Sequence, residues 1–303
     1  MSEELPTVLV VGATSKIGQP LIEELSKQTG TPDVRVIAAT RNADKAKQFE
    51  AKGVETRILD LDRAARFGLD KTVNALAGIE RLFLLTGYDV NMLAHSKAAI
   101  DAAVKNGVKH IVHVGAYATE GTTIVHLGLH LFIEKYIETS GLGWTHLRPN
   151  VFMQNLLAFG GKNNSSPGVI EWYTGNAPLS WIDCTDIAAV AAEVLRRPEN
   201  FNRQKIPLAV DRASMPEIAE IFSDVIGKPF VYQAREPAEF TQKMFALGFD
   251  PAYIRCVENV LVRQGEQSLT EAADTFKNFE KITGRKPTLI RDFIAKYKEF
   301  LGY

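Results

Sequence analysis

Cysteine is scarce in this chain of 303 residues. There are two, Cys184 and Cys256, far apart. That spacing excludes a disulfide framework and a paired-thiolate metal centre, and no metal is expected. Charge of one sign is missing too: 35 Lys and Arg stand against 36 Asp and Glu, for a net charge of −1. A nucleic-acid partner or an anionic membrane surface would call for a basic excess, so neither is expected. No apolar run reaches the length of a bilayer span. The acidic start, MSEELPTVLVVG, lacks the pattern of a secretory leader. Internal repeats and low-complexity tracts are absent. What remains is an ordinary globular composition, 46% hydrophobic and 23% charged, expected in a reducing compartment and by default the cytoplasm. Nothing in the sequence sets an oligomeric state.

What the chain does have is alternation. Short β-rich runs at Val8–Val11, Val34–Ala39, Thr56–Leu59, Arg81–Leu85, His110–Val114 and Thr145–Leu147 are separated by helical stretches near 16–29, 43–52, 63–77, 90–106 and 126–140. The strands are almost continuously apolar, as strands covered by helices on both faces must be. Regular βαβ order predicts an α/β fold with a doubly wound parallel sheet. The expected boundaries are residues 1–155 for a Rossmann-type domain, with its sheet completed from 179–210. A smaller, mostly helical substrate lobe takes 156–178 and 211–303. Within it, Gly160–Gly168 reads as a polar loop, and Pro216, Pro237 and Pro251 mark helix starts.

The first βα turn, TVLVVGATSKIGQPL, has the features of a phosphate cradle. Gly12, Ser15 and Gly18 occupy a G-x-x-G-x-x-G spacing between a strand and a helix. Backbone N–H groups and the positive helix end suit a pyrophosphate there, and glycine permits close approach. Ser15 stands where such loops commonly carry their middle glycine, and its hydroxyl can donate to a phosphate oxygen. The bland alternative is a tight turn that holds nothing. The second strand runs into Arg41, where an NAD site would place an acid for the ribose 2′-hydroxyl. Arg41, with Asn42 and Lys45, instead suits a 2′-phosphate through the guanidinium fork, so NADP(H) is the expected cofactor. A solvated helix start is the alternative for these residues.

Six pieces carry a resemblance: VVGATSKIG, TRNADKA, AAVKNGVKHIVHVGA, IEKYIETSGLGWTHLRPNVFMQN, LSWIDCTDIAAVAAEVL and TGRKPTLIRDFIAKY. Together they run from Thr7 to about Tyr297, and in them the chain resembles the NmrA-like family of atypical short-chain dehydrogenases/reductases. The resemblance implies NADP(H) bound to a Rossmann domain, with a substrate cleft against a smaller C-terminal lobe. It places Gly12, Ala13, Thr14, Ser15, Lys16, Ile17 and Gly18 in the pyrophosphate loop. Arg41 and Asn42 would face the 2′-phosphate, Asp60 and Leu61 the adenine, and Thr86 and Gly87 the nicotinamide-side ribose. Pro149, Asn150 and Val151 would sit beside the carboxamide.

The departures from the superfamily concern chemistry. The usual serine region reads Gly115–Ala116, and the following helix offers His126 and His130 where Tyr and Lys would stand. A plain carbonyl reductase mechanism is therefore not expected. A proton donor matters most when hydride addition creates an alkoxide, and least when the acceptor is conjugated or cationic. The expected function is hydride transfer from NADPH to a small electron-poor acceptor such as a quinone, enone or imine. Candidate catalytic residues are His130, Tyr117 and His126; candidate substrate contacts are Tyr88, Phe152, Asn155, Phe159 and Trp172, with ordinary core packing the alternative for the aromatics. His126, His130 and Glu134 share a helix face in an H-x-x-x-H pattern, yet no further ligand is identifiable. Glu134 reads as a surface residue paired with Lys135 or a neighbour. Two other functions compete: a non-catalytic dinucleotide sensor binding a partner protein, and a non-redox cyclase or isomerase.

Overall fold

The computed structural model describes residues 5–27, 33–68, 74–87, 89–159 and 168–301. The chain begins with β1 (Thr7–Val11), α1 (Gly18–Ser26), β2 (Arg35–Thr40), α2 (Ala43–Glu50), β3 (Glu55–Ile58), α3 (Leu61–Phe67) and β4 (Arg81–Leu84). It continues with α4 (Met92–Lys105), β5 (His110–Val114), α5 (Val125–Glu138) and β6 (Gly143–Pro149). Then come β7 (Val151–Phe152), α6 (Gln154–Phe159), β8 (Val169–Trp172), β9 (Leu179–Ile182), α7 (Cys184–Arg196) and β10 (Gln204–Leu208). The last part holds β11 (Asp211–Ala213), α8 (Met215–Ile226), β12 (Val231–Ala234), α9 (Pro237–Ala246), α10 (Pro251–Gly265), α11 (Asn278–Thr283) and α12 (Ile290–Lys296).

Seven strands form the main sheet in the order β10-β6-β5-β4-β1-β2-β3. The pairs β1–β2, β1–β4, β2–β3, β4–β5 and β5–β6 are all parallel. The strand order reverses at β1, which makes the sheet doubly wound, and β1 and β5 are buried along their whole length. Their continuous apolar character follows from that two-sided cover. Of the segment expected to complete the sheet, 204–208 does so. Leu179–Ile182 instead pairs antiparallel with β11 and parallel with β7 in a separate three-stranded sheet. There the Trp181 indole donates to the Ala213 carbonyl at 3.2 Å, so a buried polar N–H is satisfied within the small sheet.

The chain divides into two compact units. The first comprises Met1–Gly115, Leu129–Arg148 and Ile187–Ile206; the second comprises Ala116–Gly128, Pro149–Asp186 and Pro207–Tyr303. In the second, a core of Met153, Trp172, Trp181, Phe222 and Phe293 joins α8 and α12 to the small sheets. Pro216, Pro237 and Pro251 do lie in the first turns of α8, α9 and α10. The sequence pattern missed the parallel β8–β12 pair, whose two four-residue strands are too short to show a period. Helix α3 ends at Gly68, with φ +98°, short of the expected 77; residues 69–73 of that stretch, and 160–167 of the expected polar loop, lie outside the described residues. Among the described residues no helix is long and apolar enough to cross a membrane.

Candidate functional site

Four neighbouring strands of the first unit, β4, β1, β2 and β3, deliver candidate residues at their carboxyl ends. That is the edge where open α/β sheets take ligands. After β1, Gly12 has φ +83°, and a Cβ there would meet the Leu85 carbonyl oxygen at 2.7 Å. At Gly18 a Cβ would overlap the Gly12 carbonyl oxygen and lie 2.9 Å from the Ala13 Cα. Gly12 is thus required by the close approach of Leu85, and Gly18 by the packing of the turn on itself. Ser15 is different. Its amide donates to the Gly12 carbonyl at 2.9 Å, and its Oγ accepts from the amides of Gly18 at 2.8 Å and Ile17 at 3.3 Å. The serine therefore caps the start of α1, a role a glycine lacks.

After β2, Arg41 and Asn42 are exposed. Asn42 caps α2 by accepting from the Lys45 amide at 3.0 Å, while Arg41 has no ion-pair partner among the described residues. After β3, Asp60 caps α3, accepting from the Arg63 amide at 2.9 Å, and Leu61 beside it is half-buried. After β4, Thr86 accepts from the Ser96 hydroxyl at 3.4 Å, and Gly87 is exposed. Buried His95 of α4 bonds Asp62 at 2.9 Å, tying α4 to α3. Tyr88 lies outside the described residues.

The remaining candidates fall in the second unit, His130 excepted. The Asn150 amide donates to the Leu208 carbonyl at 3.1 Å. Its side-chain nitrogen donates to Ser180 Oγ at 2.7 Å and to the Glu271 carbonyl at 3.2 Å. Both N–H bonds of the side chain are thereby spent on the fold, and Oδ1 is what Asn150 can offer a ligand. Pro149 accepts from the Tyr117 amide at 2.9 Å. The Tyr117 hydroxyl donates to Asp274 Oδ2 at 3.1 Å, and its ring meets Phe276 edge-on at 5.0 Å. Val151, Phe152 and Asn155 are half-buried. Phe159 ends α6, and its side chain lies outside the described residues. Trp172 is buried in the core against Trp181, ring centres 5.6 Å apart.

Helix α5 divides the histidines between the two units. His126 packs edge-on against Tyr253 at 5.6 Å in the second unit, and burial pulls its pKa down to about 4. His130 lies in the first unit, 6.3 Å from the His113 ring. Glu134 is not a surface residue. It is fully buried, and Arg148 Nε donates to its two oxygens at 2.9 and 3.2 Å. The apolar surroundings require this pairing, since an unpaired buried carboxylate is costly. The sequence reading also missed His113 and His146, which sit opposite each other on β5 and β6. With Glu134 they bring three potential metal-ligand atoms within 4.8 Å of one another. The Arg148 guanidinium already occupies that carboxylate, and Lys205 lies 3.9 Å away. A dication there would face both positive charges.

A doubly wound parallel sheet with a glycine-turned first βα loop defines a Rossmann-type nucleotide-binding protein. Within that class the chain belongs to the NmrA-like family, whose model matches residues 5–303. It is similar to the NAD(P)H azoreductase of Xenophilus azovorans, 29% identical over 297 residues, covering 97% of this chain and 99% of that protein. Quinone oxidoreductase 2 of Escherichia coli (strain K12) is 26% identical, with coverage of 95% and 97%. Among solved structures, the triphenylmethane reductase of Citrobacter sp. complexed with NADP(H) superposes with a TM-score of 0.80. It is 23% identical and covers 96% of this chain and 99% of the other.

Proposed function

We propose that this protein is an NADP(H)-dependent reductase that transfers hydride to a small conjugated, electron-poor acceptor such as a quinone, azo compound, enone or imine. The observation that carries this reading is the likeness, over nearly the whole chain, to an NAD(P)H azoreductase and a quinone oxidoreductase. The turn after β1 fits the cofactor: a compact glycine loop at a helix start, with an exposed cation at the end of β2. Bound there, NADPH supplies the hydride. The amides of Ala13, Thr14 and Lys16 would hold the pyrophosphate, helped by the positive end of α1, whose Ile17 and Gly18 amides Ser15 caps. Arg41 grips the 2′-phosphate by charge-assisted hydrogen bonds, with Asn42 holding the turn beside it. Asp60 and Leu61 flank the adenine, Thr86 and Gly87 the second ribose, and Pro149, Asn150 and Val151 the carboxamide.

Gly115 and Ala116 stand in the region of the superfamily's serine, so no hydroxyl there polarises a carbonyl. A Cβ at Gly115 would stand 3.1 Å from Glu134 Oε1 and 3.2 Å from the His113 ring, so a serine at that position would crowd these two side chains. Catalysis would then rest on bringing donor and acceptor together, with His130 as proton donor where the acceptor needs one. Phe152 and Asn155 contact the substrate. NADPH oxidation followed in single turnover against a panel of quinones, azo dyes and iminium compounds tests this. Consumption of NADPH by at least one class is expected, with NADH poorer. Tight NADPH binding without turnover of any acceptor would overturn the reductase reading in favour of a dinucleotide sensor.

A further inference from the structure

The sheet face beneath α5 carries titratable groups that cofactor binding does not use. Parallel pairing sets His113 beside His146, and both are almost wholly buried, at 1% and 0% exposure. From above, α5 lays His130, Glu134 and Glu138 along one stripe at i, i+4 and i+8. The His113 ring centre is 6.3 Å from His130 and 5.5 Å from His146. His146 Nε2 is 3.7 Å from Glu138 Oε1, and that oxygen is 3.2 Å from Lys205 Nζ. The Glu138 side chain is 19% exposed, so this line of groups reaches solvent. His146 stacks on Trp144 at 4.4 Å.

Polar atoms inside a fold are nearly always bonded. Here His113 Nδ1 and both ring nitrogens of His146 are buried without a hydrogen-bond partner among the described residues. A metal ion does not fit, for the reason of charge given above. The charges around His146 are those of Arg148, Lys205 and Lys135, with His110 nearby. Arg148 also faces His113, and the acids are Glu134 and Glu138. His146 Nε2 and Glu138 Oε1, 3.7 Å apart, are too far for a direct bond, and buried polar groups left in this way are satisfied by bridging water.

We propose that Glu138, His146, His113 and His130 form a water-bridged proton relay from the surface of the first unit to the carboxyl end of β5. The relay rests on the reductase reading. Hydride brings one hydrogen and an electron pair to a quinone or azo bond, leaving negative charge on oxygen or nitrogen. One proton completes the product, and His130 supplies it. His130 is recharged from His113, and His113 from His146. Each imidazole takes a proton on one ring nitrogen and releases one from the other. Glu138, in exchange with solvent, restores the proton at the outer end. Burial, reinforced by Arg148, disfavours a resident charge on His113 and His146, so a proton passes through without staying.

Acceptors that need different numbers of protons test this. A quinone or azo dye takes a hydride and a proton; a cationic triarylmethane dye takes a hydride alone and becomes neutral. His146→Phe and His113→Phe keep a flat ring in the same space. Expected is a fall in kcat of about tenfold or more with the quinone, a changed kcat–pH profile and a changed solvent-deuterium effect. Reduction of the cationic dye stays within about twofold of wild type. Equal loss with both acceptors, or no loss with the quinone, would overturn the relay. If a Phe variant does not fold, His146→Gln is measured in its place, with the same outcomes. For a wild type inactive with the cationic dye, the quinone pH profile and isotope effect decide. A wild type that turns over no acceptor of the quinone, azo and iminium panel overturns the reductase reading itself, and the relay falls with it.

Discussion

The turn after β1 and the layer beneath α5 belong to the same unit, yet they handle polar groups in opposite ways. In the turn, Ser15 satisfies the Ile17 and Gly18 amides within a few residues, and the glycines are dictated by contacts inside the turn or with Leu85. Beneath α5, Glu134 finds Arg148 across 14 positions of sequence, and His113 Nδ1 and both ring nitrogens of His146 find no hydrogen-bond partner among the described residues. A loop at the edge of a sheet can leave amides facing solvent until a ligand arrives. A polar layer in the interior cannot, so its pairing is a matter of stability. The same chain therefore concentrates its ligand-ready groups at the edge and its most costly groups inside.

The sharpest way to break that contrast is to strand one buried charge. Arg148→Met leaves the Glu134 carboxylate buried without its guanidinium, and a loss of about 3–5 kcal/mol is expected in urea or thermal unfolding. The double variant Glu134→Met, Arg148→Met should recover most of it, since a buried pair replaced as a whole costs little. A double variant as unstable as the single one would show that the pair does more than neutralise itself.

Acid provides a second test on the interior. Burial lowers the pKa of His146 to about 2 and that of His113 well below its usual 6.5. Both stay neutral in the fold, while in the unfolded chain each binds a proton near pH 6.5. Their full stabilising contribution is therefore present above pH 6.5 and is lost as pH falls below it. Each histidine removes about 1.4 kcal/mol per pH unit, or roughly 2.7 kcal/mol by pH 4.5. Equilibrium unfolding across that range should show stability falling with a slope these two share with His110 and His126, whose pKa burial also lowers, and His146→Phe should reduce it by one proton's worth. An unchanged slope in that variant would place the acid sensitivity elsewhere.

At the sheet edge, Arg41→Ala should raise the NADPH dissociation constant about tenfold, equivalent to about 1.4 kcal/mol, and leave NADH binding almost untouched. Titration calorimetry with both cofactors reads the ratio. Equal weakening of the two would mean that Arg41 meets a group they share.

These differences also explain what the sequence made legible. The βα alternation, the glycine turn and Arg41 after β2 are local features, each contained in a dozen residues, and they were readable as such. His113, Glu134, His146 and Arg148 come together because strand register and helix docking superpose three segments. No spacing along the chain encodes that, so Glu134 looked like a surface acid. Leu179–Ile182 looked like a strand of the main sheet for a related reason. Its apolar character announces a buried strand but says nothing of which neighbours bury it.

Ser15 offers the smallest effect and the finest division between the two regions. Its Oγ accepts from Gly18 at 2.8 Å, so the loss of the hydroxyl in Ser15→Ala should cost about 1 kcal/mol of stability as a lost helix cap. Ser15→Gly should cost only a few tenths, because glycine is tolerated at helix starts. In both variants NADPH affinity should stay within about tenfold, or roughly 1.4 kcal/mol, since backbone amides still meet the phosphates. Thermal unfolding without and with NADPH separates the contributions. A cap lost alone lowers the midpoint equally in both conditions. A hydroxyl that also donates to a phosphate lowers it further when NADPH is present, and that result would make the serine a true member of the ligand site.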